Sequence, residues 1–546
     1  MHKEKFLSRA VLILAGILLL VIFLRLPAVS PQFYILDEGD SAVTGKIILD
    51  GGIVYRDAPA QRTPIIFYLY ALSFLLFGGT MAAAHLMLLI FILLTILMLF
   101  LLSSKIWDSK TACWAALLFA VSSYAYLDAD MLAFNVEFIA VLFSVVGAFF
   151  LVSYIKKRLD IFLVLSGLFF GTAFFSKQPA IFDFLAAFCF IGIAVFAESG
   201  SFRRTVKALS LLMAGFCLPL FVIVLYFYLN NSLRDFYFYC WTYNVKYYIP
   251  ASSFFEKIAP ALWFISPKSF LRENVYLLIL FVVGAIMAAP KCFSRVEKIS
   301  MASLIEPYFI AWGAGAYIGA CLGGKTCGHY FIMILPPFCL IGGRCVCALF
   351  DIINYETKSL SDISRKYLKV FLVTAITLQL TLPVIYYAFK RDVLGYYIKG
   401  AGDAQNPLPG ALRGLTEYIK DNSGEKDKIF VWGYYPEIYE LAKRRPASRY
   451  WNSNVLTGLI PWANAAPDID TSKSIIPGSW KALMEDLRKN RPVYIVDTNP
   501  GGHRAFGKYP IVKFKDLFDF MNERYVLDKE FYDEYGNLSF RVFKRN

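Results

Sequence analysis

Charge is scarce in this chain. Asp, Glu, Lys and Arg make up 18% of its 546 residues, against about 25% in an average soluble protein. That shortage excludes a disordered segment or a long coiled coil, both of which depend on charged and polar residues. Its 35 glycines fall far short of the one in three that a collagen-like chain requires. Cysteine offers no disulfide framework either. Cys113, Cys189, Cys217, Cys321 and Cys339 sit inside apolar runs, and none follows Cys347. They read as small buried apolar residues. We find no internal repeat of solenoid or transporter length. What is abundant is apolar: 58% of the residues are hydrophobic and 17% aromatic, with a mean hydropathy of +0.53. This is the composition of an integral membrane protein. The net charge of +14 then has a topological origin, because short cytoplasmic loops of such proteins collect Lys and Arg. It does not indicate nucleic-acid binding.

Runs long enough to cross about 30 Å of hydrocarbon recur at 6–26, 82–103, 111–127, 135–154, 160–176, 179–197, 208–229, 274–290, 300–322, 330–350 and 369–389. The first has a basic front and reads as an uncleaved signal anchor. A twelfth run, Pro64 to Gly78, is short and decides the parity. If it does not cross, the basic clusters Lys105/Lys110, Lys156–Arg158, Arg203/Arg204/Lys207, Lys291/Arg295/Lys298 and Lys358/Arg365/Lys366/Lys369 share a side with Lys3, Lys5 and Arg9. That side is then the cytoplasm. If it crosses, those clusters all face outward. The expectation is therefore eleven spans, with 64–78 a helix at the outer interface.

This topology places residues 391–546 outside the cytoplasmic membrane. There the charge density rises and turn signals such as Asn406-Pro407 and Pro409-Gly410 appear. KIFVWG (428–433) and PVYIVD (492–497) read as buried strands, and 436–444 and 479–489 as amphipathic helices. The expected architecture is a polytopic α-helical domain over 1–390, with an outer loop at 27–81, followed by an extracytoplasmic α/β domain over 391–546.

Polar residues near the ends of the apolar runs gather on the outer side. They are YILDEGDSA (34–42), GGIVYRDAPAQRTP (51–64), YLDADML (126–132), FSKQP (175–179) and GGKTCGHYF (323–331). Charged groups at helix ends are costly against lipid and more often line a water-accessible cavity. Such a cavity would gather Asp37, Glu38, Asp128, Asp130, Lys177, Lys325 and His329. Carboxylates accept a proton from an attacking hydroxyl, and cations neutralise charge on a departing phosphate. The mixture suits a transferase acting on a lipid-anchored phosphate, with the bilayer holding the lipid. Residue types and spacing alone leave the transferred group unidentified.

The run YILDEGDSAVTGKIILDGGIVYRD, following a single span, resembles the first outer loop of the GT-C glycosyltransferases, whose Asp-Glu pair carries the catalytic Asp. The most similar members are the bacterial protein O-mannosyltransferase-like group and the lipid A aminoarabinose transferases. YLDADML, GLFFGTAFFSKQP, GKTCGHYFIMILPP and the C-terminal VWGYYPEIYELAKRRPASRYW match in the same order. The resemblance implies a GT-C fold with about eleven transmembrane helices. It also implies transfer of a sugar from a polyprenyl-phosphate donor to a lipid, glycan or protein acceptor, with inversion at the anomeric carbon.

By that resemblance Asp37 is the general base. Its bland reading is a helix N-cap before a helix at 39–50. Glu38 orients the acceptor or favours the helix N-terminus electrostatically, and Asp40 reads as a solvated first-turn residue. Lys177 and Lys325 bind the donor phosphate or merely snorkel. His329 bonds phosphate or acceptor, or holds a structural bond. Asp128 matches the family's outer-loop carboxylate better than Asp130 does. Arg56 and Arg62 add positive charge near the first loop. Asp183, the nearest carboxylate along the chain from Lys177, is its expected partner; Asp183 and Glu306 are the closest to charges inside the membrane.

Where the lipid A transferases end this loop in Glu-Lys-Pro, this chain has Arg62-Thr63-Pro64. A metal-ligating Glu is missing, so no metal or other cofactor is expected, and aminoarabinose becomes doubtful as the sugar. The aromatic stretch Asp235 to Tyr248 reads as an interfacial belt or as a helix gating lipid entry. The competing class is a transporter or lipid flippase. It is disfavoured because transporters place polar groups near the bilayer midplane and show repeated halves. A non-catalytic scaffold is a third reading.

Overall fold

The computed structural model describes residues 2–125, 129–248, 274–293, 300–322, 328–355, 362–399, 408–460, 464–502 and 504–546. Asp128 and Lys325 lie outside the described residues. The chain forms two compact units, and the division is not linear. One takes Met1–Ser30, His85–Tyr226 and Ser252–Ala404; the other takes Pro31–Ala84, Phe227–Ala251 and Gln405–Asn546.

The first unit is helical. Leu-, Ile-, Val- and Phe-rich runs make α1 (His2–Arg25), α4 (Met81–Ile106), α5 (Ser109–Ser122), α6 (Val136–Lys157), α7 (Ile161–Ser176), α8 (Ile181–Ser199), α9 (Phe202–Leu229), α10 (Val275–Phe293), α11 (Ile305–Cys321), α12 (Leu335–Tyr355) and α13 (Asp362–Lys390). Two further helices, α2 (Leu36–Leu49) and α3 (Ile65–Phe77), belong to the other unit. Each expected span is thus matched by a helix. Among the described residues seven helical stretches are long and apolar enough to cross a membrane: Arg9–Ala28, Met81–Ile106, Val136–Lys157, Gln178–Ser199, Phe202–Leu229, Gly328–Asn354 and Lys366–Lys390. Apolar side chains such as Phe221, Val222, Phe371 and Phe389 stand exposed on α9 and α13, the arrangement that hydrocarbon rather than water accommodates.

α5 and α7, with 14 and 16 residues, fall below that length. α3 has 13 and rises about 20 Å at 1.5 Å per residue, short of the roughly 30 Å of hydrocarbon.

Small residues set the closest packing. A Cβ on Gly167 of α7 would fall 2.0 Å from the carbonyl oxygen of Leu212 in α9, and one on Gly215 would fall 2.1 Å from that of Val164. The two backbones touch because neither position carries a side chain, the usual device where lipid gives helices no hydrophobic reason to associate.

In the second unit a five-stranded sheet runs in the order β2-β1-β3-β5-β4. Its strands are β1 (Lys428–Trp432), β2 (Arg445–Pro446), β3 (Tyr494–Asp497), β4 (Tyr525–Tyr532) and β5 (Leu538–Arg545). β1 pairs in parallel with β2 and β3, whereas β5 runs antiparallel to both β3 and β4. The helices that accompany the sheet include α15 (Gly410–Asp421), with Leu412, Leu415 and Ile419 buried, α16 (Glu437–Leu441) and α17 (Ser479–Asn490). Helix α14 (Val393–Lys399) is part of the first unit. The second unit's core holds Ile429, Val431, Tyr494, Val496, Phe540 and Val542, and includes Val43 from α2.

The aromatic stretch after α9 is not one regular α-helix. It turns through Leu233–Tyr237 into π-helical Phe238–Thr242 and Asn244–Tyr248, burying Phe236, Tyr239, Cys240 and Tyr243. Asn244 Nδ2 donates to the Gln61 carbonyl at 2.8 Å, and the Phe236 ring lies 5.6 Å from that of Tyr55. Phe236 thus packs against the loop that carries Arg62, whereas Tyr237 stays exposed. Among the described residues eight cysteines are free, five of them wholly or partly buried along the helices of the first unit.

Candidate active site

The candidate residues form one constellation in each unit. In the second unit Ile35 is extended, at φ −140°, and α2 starts at Leu36. Asp37 is therefore the second residue of the helix and not its N-cap, which corrects the helix start expected at residue 39. The chain turns early because Glu38, 1% exposed, folds its Oε2 back to accept the Tyr34 amide at 2.8 Å. That bond ties the chain ahead of the helix to its first turn.

Asp37 remains about 40% exposed while its Oδ2 pairs with Arg62 Nη2 at 2.5 Å. Arg62 Nη1 also donates to the Asp37 carbonyl at 2.9 Å and to Ser41 Oγ at 3.1 Å. The arginine is held in turn by its own carbonyl, which accepts the Tyr55 hydroxyl at 2.7 Å. A planar guanidinium thus grips side chain and backbone of the first turn together. Arg56 pairs with the adjacent Asp57 at 2.7 Å and donates to the Asn230 carbonyl at 3.2 Å.

Asp40 is not solvated. Its Oδ2 accepts the Tyr434 hydroxyl at 2.8 Å, and burial pushes its carboxyl well above the usual range, against the pull of Arg62.

In the first unit, α7 ends at Ser176 and Lys177 turns extended before Gln178-Pro179. Its ammonium pairs with Glu137 Oε1 at 2.7 Å and lies 4.1 Å from the centre of the Tyr330 ring. Asp183 is not its partner, since it accepts Ser144 Oγ at 2.6 Å instead. His329 Nδ1 meets Asp130 Oδ1 at 2.9 Å. Glu306 accepts the Trp107 indole at 3.1 Å and the Arg344 guanidinium at 3.3 Å, a separate grouping.

Two residues escaped the sequence reading. Glu137 is fully buried on α6, and its signal was its position as the lone carboxylate in LAFNVEFIAVLF. Arg25, 4% exposed, donates to the Met131 carbonyl at 2.8 Å and to that of Ser123, anchoring the chain around the acidic loop. Arg391 Nη1 adds a bond to the Tyr124 carbonyl at 3.1 Å. Among the described residues no three His, Cys, Asp or Glu side chains are grouped to hold a metal ion.

Residues 61–227 match the family described as dolichyl-phosphate-mannose-protein mannosyltransferase. Among solved structures, the Archaeoglobus fulgidus oligosaccharyltransferase superposes with a TM-score of 0.55 at 13% identity, over 97% of this chain and 74% of its own. That protein has also been solved, as AglB, with an inhibitory peptide and a dolichol-phosphate. ArnT from Cupriavidus metallidurans bound to undecaprenyl phosphate gives a TM-score of 0.55 at 11% identity, over 98% of each chain. No curated protein matches the sequence. At these identities the structural likeness is one of fold, and both neighbours are GT-C superfamily members. The chain is a multi-pass membrane protein with the GT-C fold and a small C-terminal sheet domain. This is the superfamily that the ordered motifs resemble.

Proposed function

We propose that this protein is a membrane glycosyltransferase that moves a sugar from a polyprenyl-phosphate donor to an acceptor hydroxyl on a lipid, glycan or protein. The reaction takes place at the outer face of the cytoplasmic membrane. The observation that carries this reading is Asp37: a partly exposed carboxylate, pinned by Arg62 in the first turn of a helix that follows the first span, in a chain of the GT-C fold. The donor class is supported by the polyprenyl phosphates bound to the two structural neighbours.

Asp37 accepts the proton of the attacking hydroxyl as the new bond forms at the anomeric carbon, and the lipid phosphate leaves from the opposite face, inverting the centre. Glu38 holds the first turn that presents Asp37. Lys177, Lys325 and His329 bind the departing phosphate, with Asp128, Arg56 and Arg62 completing the substrate contacts. No step requires a metal.

The test is Asp37→Asn in the purified full-length chain, assayed with polyprenyl-phosphate sugars. General-base assistance is worth roughly 10²–10⁴ in rate. Transfer should fall by at least the lower figure while undecaprenyl phosphate binding and melting temperature hold. Near-normal transfer by Asp37→Asn would remove Asp37 from the chemistry.

A further inference from the structure

In an open α/β sheet the usual place for a ligand is the crevice outside the carboxyl ends of the strands, where the strand order reverses. In this sheet that place lies between β1 and β3, because the chain leaves β1 for β2 on one side and returns to β3 on the other. The exit from β1 is built rigidly. Gly433 adopts φ +118°, and a Cβ there would fall 2.1 Å from Thr498 Oγ1. Thr498, just beyond β3, donates that hydroxyl to the Trp432 carbonyl at 2.8 Å. Gly433 exchanges bonds with Ser453, its amide donating to Oγ and its carbonyl accepting the Ser453 amide, each at 2.9 Å.

This stiff turn delivers the next residues to α2. The Tyr434 ring stacks on Phe506 at 6.0 Å, with 6° between the planes, and its hydroxyl reaches Asp40. Pro436 lies so close that a Cβ on Gly39 would come within 2.5 Å of its Cγ. Farther along, Glu440 of α16 pairs with Lys46, and Arg445 of β2 pairs with Asp50 at 2.5 Å. The contacts to Gly39, Asp40 and Lys46 fall on the helix whose second residue is Asp37, and the contact to Asp50 falls on its C-cap.

We propose that the turn leaving β1 seats α2, with Tyr434 and Pro436 acting as positioning residues for Asp37. The inference rests on the glycosyltransferase reading. Asp37 lies one residue before Glu38-Gly39, so a tilt of α2 at Gly39–Asp40 displaces its carboxylate directly. An error of about 1 Å in an aligned attack can cost on the order of 100-fold in rate.

Three variants of the full-length protein test it. Tyr434→Phe keeps the ring stack and loses only the hydroxyl. Its kcat should fall about fivefold, the worth of one ordinary hydrogen bond, with the donor KM unchanged and amide exchange of residues 36–49 accelerated. Gly39→Ala should lower kcat by on the order of 100-fold through its clash with Pro436. Adding Pro436→Ala, which removes Cγ, should restore most of the loss. Wild-type kcat in Tyr434→Phe, or no rescue of Gly39→Ala by Pro436→Ala, overturns the positioning role. If Gly39→Ala does not fold, the Tyr434→Phe result alone decides. Wild-type protein that transfers no sugar from any polyprenyl phosphate overturns the glycosyltransferase reading instead.

Discussion

Arg62 and Lys177 are both cations paired with a carboxylate, yet their surroundings make their substitutions behave differently. Arg62 holds Asp37 at the surface and also grips the Asp37 carbonyl and Ser41. A Lys at that position supplies charge without the fork. Arg62→Lys should therefore leave the melting temperature nearly unchanged and reduce transfer by about tenfold, the equivalent of 1.4 kcal/mol. Transfer at the wild-type rate would show that charge alone suffices. Lys177 instead neutralises Glu137, which is fully buried. Removing one partner of a buried pair costs about 3–5 kcal/mol because it strands the other charge. Lys177→Met alone should lower the yield of folded protein. The pair Lys177→Met with Glu137→Gln should recover folding without recovering use of a polyprenyl-phosphate donor. Recovery of both would assign Lys177 to structure only. The sequence names Lys177 through its place at the end of a run, but chain proximity points to Asp183, six residues away. Folding brings in Glu137, forty residues away, because α6 lies along α7.

At the scale of elements, the membrane helices were legible because hydrocarbon demands about twenty apolar residues per crossing, and few other structures leave such runs. β1 and β3 were legible for a related reason, since both are buried along nearly their whole length. β4 was not. Its YVLDKEFY carries three consecutive charged residues and a register shift between Leu527 and Lys529, as expected of an edge strand that must discourage further pairing. Helix packing was hidden as well, though its glycines were visible. Gly167 meets α9 backbone, whereas a Cβ on Gly192 would find only Leu209 methyls at 3.7 Å or more. Gly167→Val should destabilise the protein by at least about 1–3 kcal/mol through overpacking. Gly192→Ala should be close to neutral. Thermal melting of both in one detergent checks this, and equal melting temperatures would contradict the packing described.

At the scale of the whole molecule, two properties are open to measurement. If the basic loops mark one side, reporters fused after residue 158 and after residue 400 should give opposite signals, and matching signals would overturn the eleven-span topology. The second property is pH dependence. Burial, reinforced by the nearby Glu38, pushes the Glu437 carboxyl from 4.5 to about 7. Folded protein then binds a proton that unfolded protein has released between those values, so this carboxyl's contribution to stability is full below about pH 4.5 and is lost as the pH rises through about 7. Burial moves Asp40, Glu440 and Asp497 upward too, adding in the same direction. Thermal unfolding of the full chain should show the decline between pH 5 and 7, and Glu437→Gln should flatten part of it. An unchanged slope in that variant would place the dependence elsewhere.

The sequence by itself determined that the chain lives in a membrane, roughly where its apolar helices run, and which acidic pair follows the first span. Those properties depend on composition and local order, which are written along the chain. Only the tertiary structure decided that Asp40 faces Tyr434, that Lys177 answers to Glu137, and that the first-loop helix shares a core with a sheet almost four hundred residues later. Such pairings depend on which surfaces meet when apolar area is buried, and a buried carboxylate is spelled with the same letter as a solvated one.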